Sequence, residues 1–218
     1  MRDTYHESLD SVTDQIVVMI RTVGSMIDRA SAALLEVDLG KAESVIAQDE
    51  DVDQLNIELE ERATQLLALQ QPVATDLRIV TGALRMSSTI ERMGDLARHI
   101  AKIARMRYPE SAVPDQVRPI FIEMAQEASM MAQRVGDVIA DQNLNLALEI
   151  EQLDDRMDEL NVLLLQTLMS DWDGTVDQAV DLTLMSRFYE RFADHAVEIG
   201  RRVVFEKTGG LPLQKKLA

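Results

Sequence analysis

The chain has no cysteine, only 4% aromatic residues, five prolines and no apolar run of membrane-spanning length among its 218 residues. Without thiols there is no disulfide, no thiolate zinc site and no iron–sulfur cluster. Scarce aromatics and prolines, beside abundant Ala, Leu, Val, Met, Glu and Asp, favour helix over sheet. A membrane-crossing helix needs about eighteen consecutive apolar residues, so none is expected. Positive charge is also short, with 22 Lys and Arg against 38 Asp and Glu and a net charge of −16. Such a surface repels a phosphate backbone, which argues against nucleic acid as a partner. It suits cations, or basic patches on other proteins. The polar opening MRDTYHESLDSVTDQ is unlike a signal peptide, so a cytoplasmic protein is expected.

What is present is helical periodicity. Leu9, Val12, Ile16, Ile20, Val23, Ile27, Ala30 and Leu34 recur at three- and four-residue spacing and make one apolar stripe on a helix from about Asp3 to Glu36. Asp38 can cap a second helix, carried by Val45, Val52, Leu55, Leu59, Leu66 and Leu69 to about Gln70. Pro72 breaks it, and Thr75 can cap a third, with Leu77, Val80, Leu84, Ile90, Leu96, Ile100 and Ile103 on its buried side. The only proline cluster, YPESAVPDQVRP, marks the middle of the chain, and three more helices follow, near Pro119–Ala140, Leu144–Ser170 and Thr175–Glu206.

The second half repeats the first. Met86, Ser87, Glu91, Arg92, Asp95, Ala97 and Ile100 meet identical residues ninety-nine positions later, and DEDVDQLN from Asp49 resembles DDRMDELN from Asp154. The expected fold is therefore all-α: two tandem antiparallel three-helix bundles related by an internal repeat, over residues 1–108 and 115–207, with a frayed tail at 208–218.

Asp49 and Asp53 stand four residues apart, as do Glu91 and Asp95, so each pair shares a helix face. Chance alone gives roughly six such acidic pairs in a chain this acidic, most of them solvated faces. The hairpins make these pairs unusual. Asp53 with Glu91, and Asp49 with Asp95, are each centred on Pro72; Asp158 with Glu190, and Asp154 with Asp194, are each centred on Gly174. In an antiparallel pair, residues equidistant from the turn lie level. Two acidic quartets result: Asp49, Asp53, Glu91 and Asp95, then Asp154, Asp158, Glu190 and Asp194. Such quartets suit divalent or trivalent metal ions, with iron, manganese, magnesium, zinc or calcium as candidates. The alternative is a plain acidic groove. His99 and Glu198 extend the stripes as further ligands or as exposed polar residues, and Arg92 and Arg191 are placed to pair with neighbouring acids.

The segment LALQQPVATDLRIVTGALRMSSTIERMGDLARHIAKIA, Leu67 to Ala104, resembles the signature region of the PhoU family of phosphate-transport regulators, in its actinobacterial, PhoY-like form. That family carries E/D-x-x-x-D motifs that bind metal clusters on each bundle. Here the matching positions are Glu91–Asp95 and Glu190–Asp194, faced by Asp49–Asp53 and Asp154–Asp158. Leu96 stands where many members have His, whereas the second half keeps His195; the second half also reads ERFAD, without the Gly. The resemblance implies a cytoplasmic homodimer, without catalytic residues, that holds the phosphate-starvation response off when phosphate is plentiful. Its implied partners are the cytosolic subunit of the phosphate ABC transporter and a membrane sensor histidine kinase, with membrane contact only through them. Two rivals remain at this stage: a metal-free helical adaptor, and a carboxylate-bridged metal oxidase or storage protein. The chain has no Glu-x-x-His on any helix, which counts against the second.

Overall fold

In the computed structural model, residues 2–141, 143–170 and 172–210 are described, with their side chains except those of residues 2–6 and 144. Six helices follow in order: α1 (Arg2–Glu36), α2 (Leu39–Gln70), α3 (Ala74–Arg107), α4 (Arg118–Asp141), α5 (Leu144–Ser170) and α6 (Val176–Thr208). No strand occurs among the described residues. The stretch from residue 211 on, most of the expected tail, lies outside them.

The stripe on α1 is the spine of the first bundle. Leu9, Val12, Ile16, Ile20, Val23, Ile27, Ala30 and Leu34 are all buried, and Met19, Met26 and Ala33 complete the same face. The caps follow local chemistry. Asp38 accepts from the Lys41 backbone N–H at 3.0 Å and starts α2. Thr175 starts α6 with a capping box, its hydroxyl accepting from Gln178 N–H while the Gln178 side chain accepts from Thr175 N–H. Gly209 ends α6 in the left-handed region, at φ 71°, its N–H donating to the Phe205 carbonyl at 2.8 Å.

Two local expectations differ. Thr75 does not cap α3: Val73 holds that position without a side-chain bond, and the Thr75 hydroxyl receives the Arg78 guanidinium at 3.2 Å instead. The helix has already begun at Ala74, so Thr75 sits inside its first turn. Leu69 and Leu77, expected to be buried, are exposed beside Val73 at the α2–α3 tip. Helix ends at the tip of a hairpin have fewer neighbours to cover them.

Within each half the helices pack as an antiparallel trio, α1 with α2 and α3, then α4 with α5 and α6. The halves join through α1 against α4 and α3 against α6, leaving α2 and α5 outermost. Gly24 sits in the first contact, where an added Cβ would lie 3.3 Å from the Ala132 methyl. One continuous core of buried residues draws on all six helices and on the connection between the halves, where Ala112, Val113 and Val117 are buried. The proline-rich middle is thus packed.

Polar bonds cross the same junction. Arg107 of α3 pairs with buried Asp181 of α6, the guanidinium 2.5 Å from the carboxylate. The fully buried Tyr189 hydroxyl of α6 lies 2.7 Å from Ser31 Oγ of α1. Replacing Tyr189 by Phe leaves the Ser31 hydroxyl, 4% exposed, without that partner. The expected loss is about 1–2 kcal/mol in urea unfolding, with the helix content of the native state unchanged.

Candidate metal centres

The acids expected at one level of each hairpin are near enough to influence one another electrostatically. In the first, Asp49 and Asp53 come from α2, Glu91 and Asp95 from α3. Asp49 is buried, Glu91 and Asp95 are half-buried and Asp53 is exposed, so the group runs from a covered floor to an open rim. The charges sense one another across the two helices: those of Asp95 and Asp53 act on both Asp49 and Glu91. Burial first, and then these neighbours, push the Asp49 and Glu91 carboxyls above their ordinary range, while Arg98 opposes the shift at Asp49.

The second quartet repeats the arrangement on α5 and α6. Asp154 and Glu190 are half-buried; Asp158 and Asp194 are exposed. Burial pushes Asp154 up to about 6, with the charges of Asp158 and Asp194 adding to it. Among the described residues no three His, Asp or Glu side chains are gathered into a closed cage around one point. The acids of each hairpin are neighbouring carboxylates on two facing helices.

Arginines at their edges were not foreseen. Arg98 reaches across the first quartet: its Nε lies 3.0 Å from Asp49 Oδ2 and its terminal nitrogen bonds to Asp95. In the second half Arg187 pairs with Glu190. Of the arginines expected to pair with acids, Arg92 acts on Glu91 by its charge, and both Arg92 and Arg191 lie near His195 and disfavour its protonation. Spacing held a usable clue, since Arg98 follows Asp95 by three residues and Arg187 precedes Glu190 by three. His99 packs its ring on Phe188 of α6, centroids 5.2 Å apart, so it serves the junction of the halves. Burial disfavours its charged form and that of His195, which lies 3.8 Å from Glu198.

The donor chemistry fits a hard cation. Each group offers carboxylate oxygens only, partly desolvated and mutually repelling, and a cation relieves that repulsion. In the first quartet a guanidinium already stands between two of the acids as such a cation would.

A doubled three-helix bundle is the fold of a known class of protein, and comparison with known families agrees. The PhoU domain family matches residues 16–104 and 121–203, one match per bundle. The chain belongs to the PhoU family. It is 45% identical over 213 residues, 97% of this chain and 100% of the relative, to "Phosphate-specific transport system accessory protein PhoU homolog 2" of Mycobacterium tuberculosis. Homolog 1 of the same organism is 40% identical over 219 residues, covering 100% of this chain and 99% of that one. Among solved structures, PhoU from Pseudomonas aeruginosa superposes with a TM-score of 0.87 at 25% identity, over 94% of this chain and 100% of that one.

Proposed function

We propose that this chain is a non-catalytic, metal-binding accessory protein of phosphate-specific transport that represses the phosphate-starvation response. It couples the cytosolic subunit of the phosphate ABC transporter to a membrane sensor histidine kinase, working in the cytoplasm as a homodimer. The observation that carries the reading is the repetition of one acidic quartet at the same level of both hairpins, in a chain of the PhoU family. Solubility alone asks for no such register. No helix among the described residues is long and apolar enough to cross a membrane, so contact with membrane partners goes through docking.

The quartets are the residues that would hold the metal: Asp49, Asp53, Glu91 and Asp95, and Asp154, Asp158, Glu190 and Asp194. These carboxylates would hold the ion, and its positive charge would offset their mutual repulsion across α2 and α3, or α5 and α6. Replacing Glu91, Asp95, Glu190 and Asp194 together by the corresponding amides is expected to remove stoichiometric metal from the purified protein. Unchanged metal content would leave the metal-free adaptor as the better reading.

Regulation is tested in cells. Deleting the gene, together with any second homologue, is expected to switch on phosphate-uptake genes in phosphate-rich medium. Tight repression without the protein would defeat the regulatory reading. Co-purification from membranes with and without phosphate identifies the proteins it touches.

A further inference from the structure

The two bundles meet along a seam that is open on one side. There α1 and α4 run antiparallel, with Gly24 beside Ala132 and Ile20 beside Gly136. Small residues at the seam, among them Gly24, Ala32, Ala125 and Ser129, leave a groove between the two helices. It runs from Arg21 and Asp137 at one end to Asp115 and Arg118 at the other. It widens to about 570 Å³ where Leu35, Ile122 and Met130 line it. Ile122 and Met130 are 40% and 41% exposed, so apolar side chains face solvent there. Along α1 the groove extends from Ile20 to Glu36, about 24 Å or about four helical turns. Its walls are two helix faces with side-chain ridges at three- and four-residue spacing, the kind of surface on which a third helix packs.

The rim is acidic, with Asp28, Glu36, Asp115, Glu123 and Asp137 set against Arg21 and Arg118. Part of this charge is met within the chain. Glu36 pairs with Lys41, Glu123 with Arg156 and Asp137 with Arg134, while Arg118 donates to the Leu35 carbonyl at 2.6 Å. Asp28 and Asp115 enter no ion pair among the described residues. Glu127 stands out. It is 9% exposed and lines the Arg118 end of the groove, and its Oε2 is buried with no hydrogen-bond partner. Burial and the charge of Glu123 push its carboxyl up; Arg156 of α5 opposes them, but that guanidinium is bonded to Glu123 and Glu159. A buried carboxylate oxygen left unbonded costs stability. The internal repeat does not impose it. The residue of α1 that stands to Glu127 as Asp49 stands to Asp154 is Thr22, whose hydroxyl donates to the Val18 carbonyl at 2.9 Å.

We propose that the α1–α4 groove is the docking surface for a helix of another protein, apolar along one side and flanked by lysine or arginine, one of whose cationic heads bonds Glu127. This rests on the accessory role proposed above, and not on metal binding. The apolar side of the incoming helix covers Leu35, Ile122 and Met130, and the small residues beneath let its backbone come close. Met130 is flexible enough to fit side chains of differing shape. A lysine stem lies along Pro119 and Ile122 while its ammonium reaches Glu127. The acidic rim attracts the remaining basic residues and rejects acidic helices. A second copy of the chain is the poorer occupant, since it brings a net charge of −16 and this same rim.

The probe is a fluorescein-labelled peptide of about eighteen residues, leucine and lysine only, with leucine at three- and four-residue spacing. The full-length protein is titrated into it at physiological salt and binding is read by anisotropy. Ser129→Phe, which fills the groove, and Glu127→Gln are each expected to weaken binding about tenfold. Glu60→Gln with Glu61→Gln, which removes more charge from the exposed side of α2, is expected to leave it unchanged. If Ser129→Phe does not fold by circular dichroism, Ile122→Ser at its exposed position takes its place. Wild-type affinity in the groove variants, or an equal loss from the α2 pair, would show that net charge alone holds the peptide and would overturn the proposal. So would no binding by the wild type. Sedimentation tests the other occupant: a wild-type dimer that Ser129→Phe makes monomeric would give the groove to a second copy and overturn the proposal as well. The deletion test of repression reads gene expression alone, so failure of the groove and failure of the accessory role are told apart.

Discussion

Replacing Glu206 by glutamine is expected to make the protein gain stability relative to wild type as pH rises from 4.5 to 7, by about 3 kcal/mol at pH 8. Glu206 lies near the end of α6, against α3, and its carboxyl enters a small recess lined by Thr13, Ile16, Ile79, Ala83, Met86, Ile139 and Val203. Gly82 makes the space, since a Cβ there would fall 1.5 Å from Glu206 Oε1. That oxygen is buried with no hydrogen-bond partner. Burial pushes the carboxyl up from 4.5 to about 7, and Arg202 on the same helix only partly opposes it. The one neighbouring group on α3 that bonds to this residue, Arg78, donates to its backbone carbonyl at 3.3 Å.

The direction follows from proton binding. Between pH 4.5 and 7 the unfolded chain releases this proton while the folded chain keeps it, so ionisation favours unfolding and native stability falls across the window. Above it the loss is complete. A glutamine stays neutral throughout and removes that component. Urea unfolding of both proteins at pH 4, 6 and 8 reads the difference, which cancels the other titrating groups. A difference that stays constant with pH would show that Glu206 turns out to water when it ionises. Gly82→Ala, whose methyl displaces the carboxyl from the recess, is expected to weaken the same pH dependence at little cost, because the obstructing atom ends a flexible side chain.

Nothing around Glu206 in the sequence announces this recess, and the reason separates what was legible from what was not. Helical periodicity reports which face of one helix is buried, so the α1 stripe from Leu9 to Leu34 reads directly as the spine of a bundle. Reflection about Pro72 or Gly174 reports which residues of a hairpin lie level, so the mutual influence of Asp53 and Glu91, or of Asp154 and Asp194, follows from numbering. Both are local rules with one turn or one hairpin as their range. The partnership of Glu206 with Gly82 depends on how α6 of one repeat lies on α3 of the other, and no local period encodes it. The stacking of His99 on Phe188 and the bond of Ser31 to Tyr189 belong to the same junction. Arg98 is intermediate. Its spacing from Asp95 was visible, but its reach to Asp49 depends on a long side chain choosing the groove over solvent.

The junction also governs the largest mechanical effect. Phe121→Ala is expected to destabilise the protein by about 3–5 kcal/mol, as the loss of a wholly buried phenyl ring does. Phe121 is 0% exposed on α4 and meets Tyr189 of α6 edge to face, centroids 6.3 Å apart; Tyr189 in turn reaches Ser31 on α1. A cavity at Phe121 therefore opens beside the residue that ties the second bundle to the first. Two independent bundles would confine the damage: the second half would melt early and the first would persist. One continuous core from all six helices predicts otherwise. Trp172, the only tryptophan, sits between α5 and α6 with its indole N–H on the Thr175 carbonyl at 3.1 Å, so its fluorescence follows the second half. Far-ultraviolet circular dichroism follows every helix. In urea the two signals of the Phe121→Ala protein are expected to fall in one coincident transition, shifted as a whole from wild type. A fluorescence change completed while half the helical signal remains would show that the repeats unfold separately, and the shared core would then contribute little to holding them together.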